Sequence, residues 1–550
     1  MTSTVIGNVI VVDGTGEARY TADVAIAGGL IARIAEPGAL TESRTLAGSG
    51  TVIDGTGLVL SPGFIDMHAH SDLQLLVNPD HYAKLSQGVT TELLGQDGLS
   101  YAPVDEPTLD GVRKQIAGWN ANPDDFDWDW RTVGEYLDRL DRPDADGNRI
   151  ATNAAYLIPQ GTLRALVVGF EDRPATPEEI VRQQQVIRDS MAQGAIGMSS
   201  GLTYTPGMYA DTAELEALLT TVGELGGFYD PHQRSYGKGA LEAYAEMIEL
   251  SRATGCPLHL AHATMNFGVN KGRAPELLAL IDAARADGVD ITLDTYPYLP
   301  GATTLAAALP SWSASGGIEA TLKRLQNPET LARIRQALEV DGSDGCHGVI
   351  AEWDTLEISG VQNPELDGIV GRTVEQIAAE RGADPFDTFV DILLRDHCGT
   401  GILQHVGHEE NVRAIMVHPV HTGGSDGLLV GGKPHPRAWG TFPRYLGHYC
   451  RDLGLMSLEE TVNHLTGRPA ARLKLVDRGL VREGHAADLV LFDPDTIADT
   501  ATFAEPRRPA AGVRYVFVNG VAAIADGAPT GARAGRALRR TRDGTAANDG

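Results

Sequence analysis

Cysteine is scarce in this chain. Its four cysteines, Cys256, Cys346, Cys398 and Cys450, are scattered and form no Cys-x-x-Cys pair. That pattern excludes a disulfide framework and a thiolate-built structural zinc site, and suits buried thiols in a reducing compartment. No apolar run approaches the ~20 residues needed to span a bilayer. The start, Met1-Thr2-Ser3-Thr4-Val5-Ile6, lacks the charged and apolar regions of a signal peptide, so a cytoplasmic protein is expected. Basic residues are also few, 45 against 73 acidic ones, for a formal net charge of -28. A field of that sign repels phosphate backbones and argues against a nucleic-acid partner. No Gly-x-Gly-x-x-Gly loop follows the first strand of a βα unit, which disfavours a doubly wound dinucleotide fold.

What is present is a large core-forming fraction, 42% hydrophobic over 550 residues, more than one ordinary domain uses. Residues 1–60 alternate short β-type runs with glycine turns, and similar runs return at Ala487 to Asp493 and Val513 to Gly520. Neither end has enough strands to bury two faces alone. Residues 1–60 and 476–530 are therefore paired as one discontinuous β-sandwich.

Between them, apolar β-like runs alternate with helical stretches such as Pro177 to Gln193 and Ala274 to Asp287. The pattern predicts α/β architecture, a (β/α)8 barrel over 61–300 and 401–475. Two stretches exceed a minimal barrel. Residues 101–150, rich in Asp and Trp, form a long excursion, and 301–400 form a largely helical insertion suited to a lid. The Gly-, Ala- and Arg-rich tail, 531–550, is expected to follow the surface and end disordered.

Chemistry gathers at the ends of the β-like runs. Leu58-Val59-Leu60 leads through Pro62-Gly63 into Phe64-Ile65 and ends at His68-Ala69-His70, whose imidazoles point the same way from one strand end. Later runs end at Asp97, at His232, at His262, and, through Ile415-Met416-Val417, at Ser425-Asp426. Strand C-termini of a barrel converge on one face, so His68, His70, Asp97, His232, His262 and Asp426 should meet there. Such a His-rich, carboxylate-containing set suits zinc or a similar divalent ion. His418 and His421 are read as loop or supporting residues near that site.

The order Pro-Gly-Phe-Ile-Asp-x-His-x-His, His232-Gln233-Arg234, Ala261-His262, Gly424-Ser425-Asp426-Gly427 resembles the amidohydrolase superfamily. Gly197 to Gly207, Asp294-Thr295-Tyr296-Pro297-Tyr298 and His435-Pro436-Arg437-Ala438-Trp439-Gly440 resemble its N-acyl-D-amino-acid deacylase (D-aminoacylase) branch. The resemblance implies the barrel, the sandwich and the helical insertion. It also implies one tight zinc site holding His232 and His262, with a weaker position lined by His68, His70 and Asp426. The implied substrate is a small N-acylated D-amino acid.

Three departures bear on metal and substrate. Asp97 stands where the family carries a zinc-ligating cysteine, and it either binds the ion or hydrogen-bonds a ligand histidine. Thr264 replaces a lysine that helps bind the substrate carboxylate in many relatives. Gly301-Ala302-Thr303-Thr304 partly loses the small polar residue common after Tyr-Pro-Tyr. Arg437 and Tyr296 remain as carboxylate contacts, and Tyr204 and Arg234 are further substrate-facing candidates. No lysine occurs between Lys114 and Lys238, so a carbamylated-lysine bridge at the fourth strand cannot form.

Bound zinc lowers the pKa of water to about 7 and polarises a carbonyl. Asp426 is the residue placed to take the water proton and hand it to the leaving nitrogen. The leading expectation is a zinc-dependent deacylase of N-acyl-D-amino acids. Thr264 favours the alternative of another amide, carbamate, lactam or cyclic imide without a free α-carboxylate. A non-catalytic metal-binding barrel is the reading outside enzymology.

Overall fold

In the computed structural model the described residues are 3–41 and 50–541, with the backbone of Ala546–Ala547. Eight parallel strands form the central sheet: β1 (Phe64–Asp66), β2 (Val89–Leu94), β3 (Asn153–Pro159), β4 (Gly197–Gly201), β5 (Tyr229–His232), β6 (Leu258–Leu260), β7 (Ile291–Thr295) and β8 (His421–Gly423). Neighbours in the sheet follow chain order from β1 to β8. The Met67 N–H donates to the Gly423 carbonyl at 3.1 Å and brings the two ends of the sheet together. The result is a (β/α)8 barrel.

The strands are nearly continuously buried, as parallel strands covered on both faces must be. Helices Pro177–Ala192, Thr212–Glu224, Ala240–Thr254 and Ala274–Ala286 alternate with β4 to β7. Thr176 starts the first through a reciprocal capping box with Glu179, and Gly255 ends the third in the left-handed region.

The flanking β-sandwich draws strands from both ends of the chain. Thr4–Val11 pairs antiparallel with Tyr20–Ala27 and parallel with Val59–Pro62, which pairs antiparallel with Leu489–Phe492. Side-chain alternation divides that last strand. Leu489 and Leu491 join Ile6, Val9 and Val11 in one apolar cluster, while Val490 and Phe492 pack with Val59, Phe64 and Val89 against the barrel.

Three segments differ from the sequence expectation. The 301–400 insertion holds helices Ile318–Leu325, Pro328–Gln336, Val374–Arg381 and Pro385–Arg395. It also carries a core of its own and an antiparallel sheet of Gly301–Thr304 and Leu356–Gly360 on either side of Gly401–Gln404, so the insertion runs past the expected boundary at 400 and that strand is not part of the barrel. The run through Ile415-Met416 is the end of a helix, Glu409–Met416, because Val412, Ile415 and Met416 are buried at helical spacing. The Arg-rich tail packs on the barrel as far as Arg540, whose N–H donates to the Gly194 carbonyl at 3.1 Å. Leu538 is fully buried and donates its N–H to Ala154, and Arg539 pairs with Asp138 at 2.7 Å. The expected disorder at its very end lies outside the described residues.

Candidate metal centre

All six strand-end candidates meet at the C-terminal face of the barrel. His68 and His70 follow β1, Asp97 lies in the Gln96–Gly98 turn after β2, His232 ends β5, and His262 and Asp426 follow β6 and β8. None is more than 7% exposed. Close backbone approach fixes two of these positions. Asp97 has φ 53° and packs on the end of β4, where a Cβ on Gly201 would lie 2.0 Å from the Asp97 carbonyl oxygen. A Cβ on Gly424 would strike Asp294 at 2.5 Å and His68 at 2.9 Å. Only glycine fits at either point.

Asp97 belongs to two donor groups, one with His232 and His262 and one with His68, His70 and Asp426. In the first, His232 Nδ1 and His262 Nε2 are 3.1 Å apart, and they lie 3.5 and 3.2 Å from the Asp97 carboxylate. In the second, Asp97 lies 3.4 Å from His68 and 3.5 Å from His70, and His70 lies 3.3 Å from Asp426. Donors around one tetrahedral zinc with bonds near 2.05 Å stand about 3.3 Å apart. Both groups match that spacing, although His68 to Asp426 is wider at 4.0 Å.

The outer nitrogens of the first pair are anchored. Thr203 Oγ1 meets His232 Nε2 at 2.6 Å, and Tyr236 Oη meets His262 Nδ1 at 2.9 Å. The inner nitrogens are thereby aimed at Asp97. Neither ring nitrogen of fully buried His68 has a hydrogen-bond partner, which fits a metal-ligand role.

The electrostatics point the same way. Burial opposes ionisation of Asp97, but His262, His68 and His232 outweigh it and hold the carboxyl well below its usual range. Burial opposes charge on His68 as well, yet Asp97 and Asp294 raise its pKa well above normal. Asp97 and Asp426 draw positive charge into the cluster, which histidine protons or a divalent ion can supply.

A Lys or Arg is absent from the residues lining the pocket above the cluster, among those described. Thr264, Tyr204 and Tyr296 line it. Arg437 does not. It is fully buried beside the pocket, 2.9 Å from Asp426, with its guanidinium 4.3 Å from the centre of the Tyr296 ring. Arg234 is not brought to the site: its guanidinium turns to Glu246 at 2.8 Å and to the Met208 and Ala210 carbonyls. His421 turns to His464 and His418 to Asp282, so neither faces the pocket.

Three contributors were not assigned to the site from the sequence, although Asp294 opens the quoted Asp294-Thr295-Tyr296-Pro297-Tyr298 motif. Asp294, at the end of β7, accepts the His262 N–H at 3.0 Å and stands 3.1 Å from His259 and 3.7 Å from His68. Its strand-end position was the available signal. Tyr236 and His347 reach the pocket from a loop and from the insertion, where no periodicity marks them.

The amidohydrolase family model matches residues 51–524. The chain belongs to the amidohydrolase family. A D-aminoacylase of Alcaligenes xylosoxydans xylosoxydans is 36% identical to this amidohydrolase over 96% of each chain. A solved D-aminoacylase structure addressing a binuclear metal centre, with one-metal activation and second-metal attenuation, superposes with a TM-score of 0.79. It is 34% identical over 98% of this chain and 99% of its own. The N-acyl-D-glutamate deacylase of Bordetella bronchiseptica, solved with zinc and a phosphonate mimic of the tetrahedral intermediate, gives 0.80 at 31% identity, covering 98% and 99%.

Proposed function

We propose that this amidohydrolase is a zinc-dependent deacylase that converts N-acyl-D-amino acids to the D-amino acid and a carboxylate. The observation that carries the reading is the position of Asp97, shared by two donor groups whose spacing suits zinc. His232, His262 and Asp97 hold the tight ion, and His68, His70 and Asp426 surround a second position. When bound, zinc acidifies water and polarises the scissile carbonyl. Asp426 accepts the proton of the attacking water and passes it to the departing nitrogen. Burial opposes its ionisation, but Arg437 and then His70 keep the carboxyl below its usual range and ready to accept. Tyr296, which lines the pocket, and the unpartnered Nε and Nη1 of Arg437 stacked on its ring are proposed for the α-carboxylate, with Tyr204 and Thr264 along the pocket. The protein is expected to work in the cytoplasm on a small molecule.

The test is acetate release from N-acetyl-D-leucine, its L enantiomer and its D-amide, before and after chelation and zinc return. The reading expects zinc-dependent hydrolysis of the free D acid above both others. The neutral Thr264 favours a second reading, an amide, carbamate, lactam or cyclic imide without a free carboxylate. Preference for the amide over the acid selects it. A chelation-insensitive rate removes both.

A further inference from the structure

We propose that the mouth of the barrel opposite the metal centre binds a small organic anion with an apolar body. A cavity of about 330 Å³ opens there. Its apolar wall is built from residues that lead into successive strands: Ile196 before β4, Phe228 before β5, Pro257 before β6 and Val420 before β8. Helix Gly467–Arg472, the turn after it to Lys474, and the returning tail at Arg540 supply the other side. This wall lies at strand N-termini, whereas the six metal-site candidates lie at strand C-termini.

Charge sets this cavity apart. In a chain of net charge -28, four cations line it, Arg468, Arg472, Lys474 and Arg540, beside a single carboxylate, Asp290. Asp290 answers Arg472 at 2.6 Å, and Arg472 Nε also donates to Thr292 Oγ1 at 2.7 Å. Arg468 meets Glu460 at 2.5 Å, outside the lining. Lys474 has only a carbonyl: its ammonium donates to Gly226 at 3.0 Å, and among the described residues it forms no ion pair. Arg540 donates to the adjoining Leu225 carbonyl. Both cations therefore converge on Gly226, where a Cβ would lie 3.4 Å from Arg540 Nη2 and 3.9 Å from Lys474 Nζ. Carbonyl oxygens orient a cation without cancelling its charge, and low-dielectric walls focus the resulting field on an anion. Apolar walls with a few convergent polar groups are the usual make-up of a small-molecule site. A bare ion leaves those walls wet, whereas a ring or short chain covers them.

Benzenesulfonate carries both features, inorganic sulfate the charge without the body, and benzyl alcohol the body without the charge. Calorimetric titration of the zinc-loaded protein is expected to show benzenesulfonate bound about 10-fold or more tighter than either control. Lys474→Met removes one cation and Lys474→Glu reverses it, at an exposed position on the face away from the metal centre. Any binding at the metal centre is therefore common to all three proteins. Benzenesulfonate affinity is expected to fall in the order wild type, Lys474→Met, Lys474→Glu, by about 10-fold or more in the last, with melting temperature and zinc content unchanged. Sulfate bound as tightly as benzenesulfonate means an adventitious ion only. Benzyl alcohol bound as tightly removes the anion, and equal benzenesulfonate affinity across the three proteins, or none in wild type, removes the site. Each of these results overturns the proposal and leaves the deacylase reading standing.

Discussion

Arg437 places a guanidinium nitrogen 2.9 Å from one carboxylate oxygen of Asp426, while the other oxygen faces His70 at 3.3 Å. The pair sets an ionised carboxylate at the mouth of the metal centre, in the state required of a general base. Asp426→Asn keeps the shape and removes the base. Turnover is expected to fall by about 100-fold to 10,000-fold, the usual range for such a group. Zinc at the site proposed for Asp97, His232 and His262 should remain, as read by metal analysis of the dialysed protein. An active Asp426→Asn enzyme would end the assignment.

Arg437 itself offers more than charge. Its planar group lies over Tyr296, and its Nε and Nη1 atoms are buried without hydrogen-bond partners. Lysine supplies a point charge but neither the fork nor the stacking. Arg437→Lys is expected to lose about 10-fold to 100-fold in kcat/KM, the worth of one charged hydrogen bond, and Arg437→Met more. Equal activity of the three proteins would show that Arg437 serves neither Asp426 nor substrate.

Asp97 tests the bridge. Asp97→Ala removes a donor from both groups, so zinc content after dialysis should drop for both positions. Asp97→Cys restores a softer anionic donor at the same turn and should hold the first ion at least as tightly as aspartate. Zinc stoichiometry unchanged in Asp97→Ala would reduce Asp97 to a hydrogen-bond partner of the ligand histidines.

The barrel and the strand-end residues were legible because parallel strands leave apolar runs and place chemistry at their C-terminal ends. Residues joined across distant strands left no such trace. Arg234 follows His232 closely and looked like a site residue, but the chain turns outward there and helix Ala240–Thr254 supplies Glu246 for it. The insertion sheet was hidden for a related reason. Gly301-Ala302-Thr303-Thr304 has no apolar run, and its partner strand, Gly401–Gln404, lies far along the chain. Lys84, Asp66 and Glu92 were equally silent, since nothing local distinguishes a buried ion cluster from a solvated one.

That cluster yields a stability prediction. Lys84 is fully buried, contacts Asp66 at 2.5 Å, Ser425 at 2.8 Å and Glu92 at 3.5 Å, and ties β1 and β2 to the loop after β8. Lys84→Met leaves Asp66 without its cation inside the fold, while His81 still answers Glu92 at 2.6 Å. Loss of one partner from a buried pair costs about 3 to 5 kcal/mol. Denaturant unfolding should show that loss as a lower midpoint. A midpoint equal to wild type would mean that water reaches the cluster.

Gly201 gives the sharpest separation of geometry from ligand chemistry. Alanine there would drive its methyl group to 2.0 Å from the Asp97 carbonyl and 2.8 Å from the Tyr204 ring, while every donor keeps its chemical identity. The Gln96–Gly98 turn must move, and Asp97 with it. Supporting residues of metal sites typically tune affinity by about 10-fold to 100-fold, and Gly201→Ala is expected to weaken zinc binding within that range. Gly268→Ala is the matched control, because nothing lies within 4 Å of a Cβ at that position. Competition with a chelator of known affinity measures both variants. Wild-type zinc affinity in a folded Gly201→Ala protein would mean that the placement of the Asp97 turn does not govern the metal centre.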